Sequence, residues 1–345
     1  MIALITVGIG FGFCLAILLL HPTVSENYPE KQISHELFEL DLAKNSHHDE
    51  IMHANEDKNV QKELFDEVRV LCWIMTSPKN HMKKAKHVLH TWGNRCNKFL
   101  IMSSEHDENL DVVALPVQEG RNHLWAKTKE AFKYIYKNHL NDADWFVKAD
   151  DDTYFIMENL RYFLYTYNPN YPIYFGCHFK EFKATHLEFM SGGAGYVLSK
   201  EALRRFIEQA LPDPAKCRHS NDGAEDVNMG KCMMSVGVKF GDTRDAQKKN
   251  RFLPMAPIDH LFPKITDEWY FKLSRYPAKK GLGCCSDYAI SFHYVYPNML
   301  YVLEYLIYHL RPYGITPNLP PLGKKLSLDD MEKCFNQHEN KNVLE

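Results

Sequence analysis

The segment Trp145-Phe146-Val147-Lys148-Ala149 runs straight into three consecutive aspartates, Asp150, Asp151 and Asp152, and few folds accommodate that junction. The apolar run from 143 to 149 reads as a strand. Comparable runs occur upstream at 68–75, 98–102 and 111–115, and downstream at 172–176 and 194–198. Between them, apolar residues recur at helical spacing over 79–92, 122–139, 156–167 and 200–210, the last behind Ser199, whose hydroxyl suits an N-cap. Strands alternating with helices imply a three-layer α/β domain with a largely parallel sheet, in which ligands bind at the carboxyl ends of strands. The aspartates stand at such an end. Three adjacent carboxylates repel one another unless a cation or hydrogen-bond donors neutralise them. Their oxygens suit Mg²⁺ or Mn²⁺, and a cation so held can bridge the two phosphates of a nucleotide diphosphate. The competing reading is a solvated turn, or a cap on a helix starting near Thr153.

The rest of the composition narrows the setting. At 345 residues, with 45% hydrophobic and 25% charged side chains, the chain can bury a large core. A net charge of -3 with interspersed signs provides no basic stripe, which excludes nucleic acid as the expected partner. Residues 1–20 carry no Asp, Glu, Lys, Arg or His and are long enough to span a bilayer, so an uncleaved transmembrane signal anchor is expected there. An acidic, polar stem over 21–64 follows. Of nine cysteines, eight lie beyond the anchor, and no zinc-type spacing appears, which points to an oxidising lumen. Cys72 with Cys96 and Cys217 with Cys232 are plausible local pairs. Adjacent Cys284 and Cys285 either bond each other or pair elsewhere. The proline-bearing tail, 315–345, reads as extended and partly disordered.

Four further groups carry potential chemistry. His293, in Ser291-Phe292-His293-Tyr294, would tilt a shared metal toward manganese if it joined the aspartates, although a lone histidine among aromatics is more often packed. Glu225 and Asp226 open a helix, where acids are commonly capping groups. Transfer to a hydroxyl also needs a carboxylate base within about 3 Å, and Asp226 is the choice, with Glu225 orienting the acceptor. Gly192 and Gly193, in Met190-Ser191-Gly192-Gly193-Ala194-Gly195, fit neither the P-loop nor the dinucleotide fingerprint; either a sugar approaches the backbone there, or the run is a tight turn. Trp269 and Tyr270 offer faces on which a sugar can stack, and serve equally well as core aromatics.

Taken together, Leu71-Cys72-Trp73-Ile74-Met75-Thr76, Thr91-Trp92-Gly93-Asn94-Arg95-Cys96, Asp144 to Tyr154, Phe189 to Ser199, Glu225-Asp226-Val227, Gly241-Asp242-Thr243-Arg244-Asp245, Cys284-Cys285-Ser286-Asp287, Ser291 to Val295 and Tyr308 to Gly314 resemble the core 1 β1,3-galactosyltransferases of glycosyltransferase family 31. The resemblance implies a GT-A fold, a Rossmann-like sheet with helices on both faces, in one catalytic domain over 65–314. It implies UDP-galactose as donor, Mn²⁺ as metal, and inverting transfer to the 3-hydroxyl of GalNAc on Ser or Thr of a glycoprotein or peptide, giving the core 1 O-glycan. By position, Asp152 and His293 would hold the metal together with Asp150. Asp150 and Asp151 would meet the donor's ribose and sugar, and Thr76, Arg95, Arg121 and Lys127 its nucleotide and phosphates. The expected setting is the Golgi or ER membrane, single-pass and type II, with a luminal catalytic domain, and with a homodimer and a chaperone as conceivable partners. Rival classes are a non-catalytic chaperone of the same fold, a fringe-like N-acetylglucosaminyltransferase, and a lectin-like binder. The intact aspartates and Glu225-Asp226 speak against the first.

Overall fold

A computed structural model describes residues 57–180, 187–315 and 318–342. The expected anchor, and the stem up to residue 56, lie outside the described residues. From Asp57 onward the chain forms one compact unit. Among the described residues there are twelve strands: β1 (Val70–Met75), β2 (Lys98–Ser103), β3 (Val112–Ala114), β4 (Trp145–Asp150), β5 (Tyr154–Phe155), β6 (Ile173–Gly176), β7 (His178–Lys180), β8 (Glu188–Met190), β9 (Tyr196–Ser199), β10 (Lys239–Phe240), β11 (Phe252–Leu253) and β12 (Ser291–Phe292). Ten α-helices accompany them among the same residues: α1 (Asn59–Glu67), α2 (Lys86–His90), α3 (Leu124–His139), α4 (Met157–Leu164), α5 (Lys200–Arg205), α6 (Glu225–Ser235), α7 (Pro257–Leu261), α8 (Glu268–Leu273), α9 (Pro297–Glu304) and α10 (Leu328–Asn342).

β1 is apolar and buried at every position, as a strand covered on both faces must be. It lies near the centre of a seven-stranded sheet ordered β10-β6-β9-β4-β1-β2-β3, in which only β9 runs antiparallel to its neighbours. Side chains alternate between faces along each strand. Val70, Cys72, Ile74, Val147 and Ala149 therefore join one core, and Leu71, Trp73, Met75 and Phe146 join a second core on the opposite side. The mixed α/β architecture with a mostly parallel sheet is the one expected. The register pairs Met75 with Asp150, so both strands end together and open one edge to ligand.

A three-stranded sheet, β11-β12-β5, sits beyond that edge. β5 is the short strand immediately after the aspartate turn, and its antiparallel pairing of Tyr154 with Phe292 and Phe155 with Ser291 carries the neighbouring His293 to the aspartates. No periodicity in two-residue strands betrays such a pairing.

Several boundaries differ from expectation. The stem does not end at 64, because α1 crosses that point and buries Leu64 in the first core. The stretch 79–92 is three short turns rather than one helix, of which only Lys86–His90 is α-helical. Ser199 does cap α5, its hydroxyl accepting from the Ala202 amide at 3.1 Å. The tail is the largest correction: α10 occupies the region read as extended. Ser327 accepts from the Asp330 amide through its hydroxyl while Asp330 accepts from the Ser327 amide, both at 3.1 Å, a reciprocal cap. Met331 is fully buried, and Phe335 stacks on Tyr171 at 5.5 Å. Apolar burial outweighs the proline-rich approach.

Disulfides join Cys72 to Cys96, Cys217 to Cys232, and Cys284 to its neighbour Cys285, leaving Cys177 buried and Cys334 exposed as thiols. No helix among the described residues is long and apolar enough to cross a membrane.

Candidate active site

Strand alternation places Phe146, Lys148 and Asp150 on one face of β4, and this sets the electrostatics of the site. Lys148 is 2% exposed, and a lysine is seldom so buried without partners. Its Nζ donates to Asp150 Oδ1 at 2.6 Å and to the Gly192 carbonyl at 3.1 Å, and lies 3.9 Å from Glu225 Oε2. Burial disfavours its charge, but Asp150 and Glu225 overcome that and raise its pKa.

Asp150, Asp152 and His293 each offer one ligand atom within 4.8 Å of the others. His293 Nε2 is 3.2 Å from Asp152 Oδ1 and 3.8 Å from Asp150 Oδ2. Burial works against the Asp152 carboxylate, but His293 and then Lys84, at 2.9 Å, hold it well below the usual carboxylate range. Two carboxylate oxygens and an imidazole nitrogen form a donor set that fits Mn²⁺ better than Mg²⁺ or Ca²⁺. The turn is pinned from several sides. Thr153 Oγ1 donates to the Gly193 carbonyl at 2.9 Å, the Trp92 indole donates to the Thr153 carbonyl at 2.9 Å, and the Val295 amide donates to the Asp152 carbonyl at 2.9 Å.

Asp151 faces elsewhere. It is buried, and its Oδ2 accepts from Thr76 Oγ1 at 2.8 Å and Asn80 Nδ2 at 2.9 Å, with Lys84 at 3.2 Å from Oδ1. Burial raises its pKa, against those partners. Asp151 and Thr76 therefore lock the turn to the end of β1, and neither is among the residues that line the cavity described next.

A cavity of about 460 Å³ has Asp150, His293, Glu225 and Asp226 along one side and Phe179, Phe189, Trp269 and Leu273 among its apolar lining. Gly192 and Gly193 form part of it, for steric reasons: a Cβ on Gly192 would meet Glu225 Oε2 at 2.8 Å, and one on Gly193 would meet the His293 ring at 2.3 Å. The two acids that open α6 divide their tasks. Glu225 is buried, and its Oε1 accepts from Thr128 Oγ1 at 2.8 Å and from the Tyr196 hydroxyl at 2.7 Å. Asp226 is half-buried; its carboxylate accepts from the Gly192 amide at 3.2 Å and its own neighbour's amide, that of Val227, at 2.9 Å. Burial raises both pKa values, with Lys148 opposing the shift at Glu225 and the amide donors opposing it at Asp226. A carboxylate with a raised pKa facing a cavity is suited to accept a proton.

The remaining candidates separate. Trp269 and the exposed Arg121 line the cavity. Tyr270 is 1% exposed and accepts from Asn250 Nδ2 at 2.8 Å, so it is a core aromatic and not an acceptor platform. Arg95 pairs with Glu304 and lies 3.8 Å over the Tyr308 ring, and Lys127 donates to the Thr76 carbonyl and Glu119, both at 2.7 Å. These two cations are held by internal partners and do not line the cavity. Sequence reading passed over Lys148 and Lys84. A single cation inside an apolar strand is a usable signal for the first; Lys84 carries no local signal.

A family profile described as Fringe-like matches residues 66–245. The chain is 48% identical over 275 residues to glycoprotein-N-acetylgalactosamine 3-beta-galactosyltransferase 1 of Xenopus laevis, across 79% of this chain and 75% of that protein. It is 30% identical over 184 residues to human chondroitin sulfate synthase 3, across 48% of this chain and 20% of the synthase. It is 27% identical over 168 residues to mouse beta-1,3-glucosyltransferase, across 48% of this chain and 33% of that enzyme. The chain thus spans a minor part of the last two relatives.

Proposed function

The chain belongs to the Fringe-like glycosyltransferases, and from that premise we propose that it transfers galactose from UDP-galactose to the 3-hydroxyl of GalNAc on Ser or Thr of glycoproteins, with inversion and with Mn²⁺. The supporting observation is one cavity lined by Asp150 and His293, from the group with ligand atoms within 4.8 Å, and by the base candidate Asp226. Bound manganese would be held by Asp150, Asp152 and His293 and would supply positive charge to a pyrophosphate leaving group. The protein's own residues do the rest. Asp226 takes the proton of the acceptor hydroxyl as its oxygen bonds to the anomeric carbon and the bond from that carbon to UDP breaks. Lys148 holds Asp150 and the Glu225 side chain in place from within the core, and Trp269 with Phe179 and Phe189 presents an apolar face to the acceptor sugar.

The setting we propose is a single-pass type II Golgi or ER protein with a luminal catalytic domain, supported by the apolar residues 1–20 and by three disulfides. Its partners are then a GalNAc-bearing glycoprotein and, as the resemblance implies, a second copy and a folding chaperone. The test is UDP release by the full chain in detergent with Mn²⁺, a GalNAc-Thr peptide and a panel of UDP-sugars. Turnover with UDP-galactose alone is expected; a folded sample that prefers UDP-N-acetylglucosamine, or turns over none, overturns the proposal.

A further inference from the structure

The β7–β8 hairpin separates two cavities. Its paired residues Phe179 and Phe189 face the candidate active site, while the alternating His178 and Glu188 line a second cavity of about 570 Å³. That volume is in the range of ligand sites, and the lining has their usual mixture of aromatic surface and few, fixed polar groups. We propose that the second cavity is a binding site for an acidic saccharide, one carrying a carboxylate or a sulfate or phosphate ester.

Charge excludes a cationic ligand: Lys239, Arg244, Lys248 and Arg275 line the cavity against only Glu188 and Asp242. The guanidinium groups are also held in position. Arg244 donates to Asp242 through Nε and Nη2, at 3.0 and 2.8 Å, and lies 3.6 Å over the Tyr276 ring. Arg275 donates to Glu188 at 2.9 Å and flanks the same ring at 5.6 Å. Planar donors so held lose little freedom when they bind an anion. Phe240 and Phe335 add apolar surface suited to the C–H face of a sugar. Each carboxylate can accept from a sugar hydroxyl, which distinguishes a saccharide from a bare anion.

His178 also lines the cavity; its ring stacks on Phe240 at 5.4 Å and its Nε2 faces Glu188 Oε2 at 3.0 Å, which fixes the aromatic wall on that side.

The test uses the full chain in detergent, saturation-transfer NMR and isothermal titration, with N-acetylneuraminic acid, glucuronic acid, galactose and inorganic sulfate as probes. Binding of at least one acidic sugar is expected, unchanged by UDP with Mn²⁺ and unchanged in Asp152→Ala, so that failure of the transfer reading would leave this result intact. Lys248→Glu, on the exposed rim, should weaken binding at least tenfold without altering transfer to a short peptide, and Arg275→Gln should do likewise for binding. Competition by UDP, equal binding of galactose, sulfate binding as tightly as the sugar, or unaltered affinity in both variants would each overturn the proposal.

Discussion

Gly193→Ala isolates the placement of His293 from its chemistry. A Cβ at this position would lie 2.3 Å from His293 Cε1 and Nδ1, and 2.9 Å from Nε2, where ordinary contact begins at 3.4 Å. One of the two must give way by about 1 Å. The Gly193 backbone is tied by the Thr153 hydroxyl at 2.9 Å, so the ring moves, and Tyr294, stacked at 3.9 Å, blocks retreat through one ring face. Metal sites tolerate roughly 0.2 Å in ligand distance, so the variant loses the imidazole as a ligand while keeping both carboxylates. An affinity loss of about 10–100-fold follows, or about 1.4–2.8 kcal/mol. Electron paramagnetic resonance of free Mn²⁺ measures it directly. In a double-mutant cycle, Gly193→Ala should add almost nothing in a His293→Ala background, because the interaction is already gone. Wild-type manganese affinity in Gly193→Ala, or the same loss in both backgrounds, would refute the reasoning.

Three other perturbations test other parts of the site and core. Asp226→Asn should preserve UDP affinity and lower kcat by about 10²–10⁴-fold. Since burial raises the Asp226 pKa, the wild-type rate should fall, as pH is lowered, at a pH above the ordinary aspartate value of about 4; an acid limb left in place by Asp226→Glu would assign it to another group. Lys148→Met leaves Asp150 and Glu225 without their buried cation and should cost about 3–5 kcal/mol in urea denaturation, so a change under about 1 kcal/mol would show the ion pairs to be dispensable. His260 is 1% exposed, its Nε2 accepts from the Met255 amide at 3.3 Å, and burial lowers its pKa to about 4. The unfolded chain, with a pKa near 6.5, binds this proton first, so stability should decline as pH falls from about 6.5 toward 4, by about 3 kcal/mol in all. A His260→Gln variant with the same pH dependence of melting would place the effect elsewhere.

The linear chain already determined the strand ending at Asp150, the alternation that makes a mostly parallel sheet and the cap at Ser199, and it offered Cys72 with Cys96 and Cys217 with Cys232 as plausible pairs while leaving Cys284 and Cys285 open. All of these follow from periodicity and from contacts close in sequence, which depend little on the remainder of the fold. Tertiary structure alone decided which aspartates gather with His293, since a turn of three identical residues has no local signal to separate Asp151, bound by Thr76 and Asn80, from Asp150 and Asp152. It also decided that His293 meets them, through a two-residue strand pairing across more than a hundred positions. Tyr270 entered the core while its neighbour Trp269 reached the cavity, and the tail folded as a helix once Tyr171 offered Phe335 a surface. Charge, burial and steric fit between distant segments are properties of the packed molecule, and a residue's role follows from them as much as from its identity.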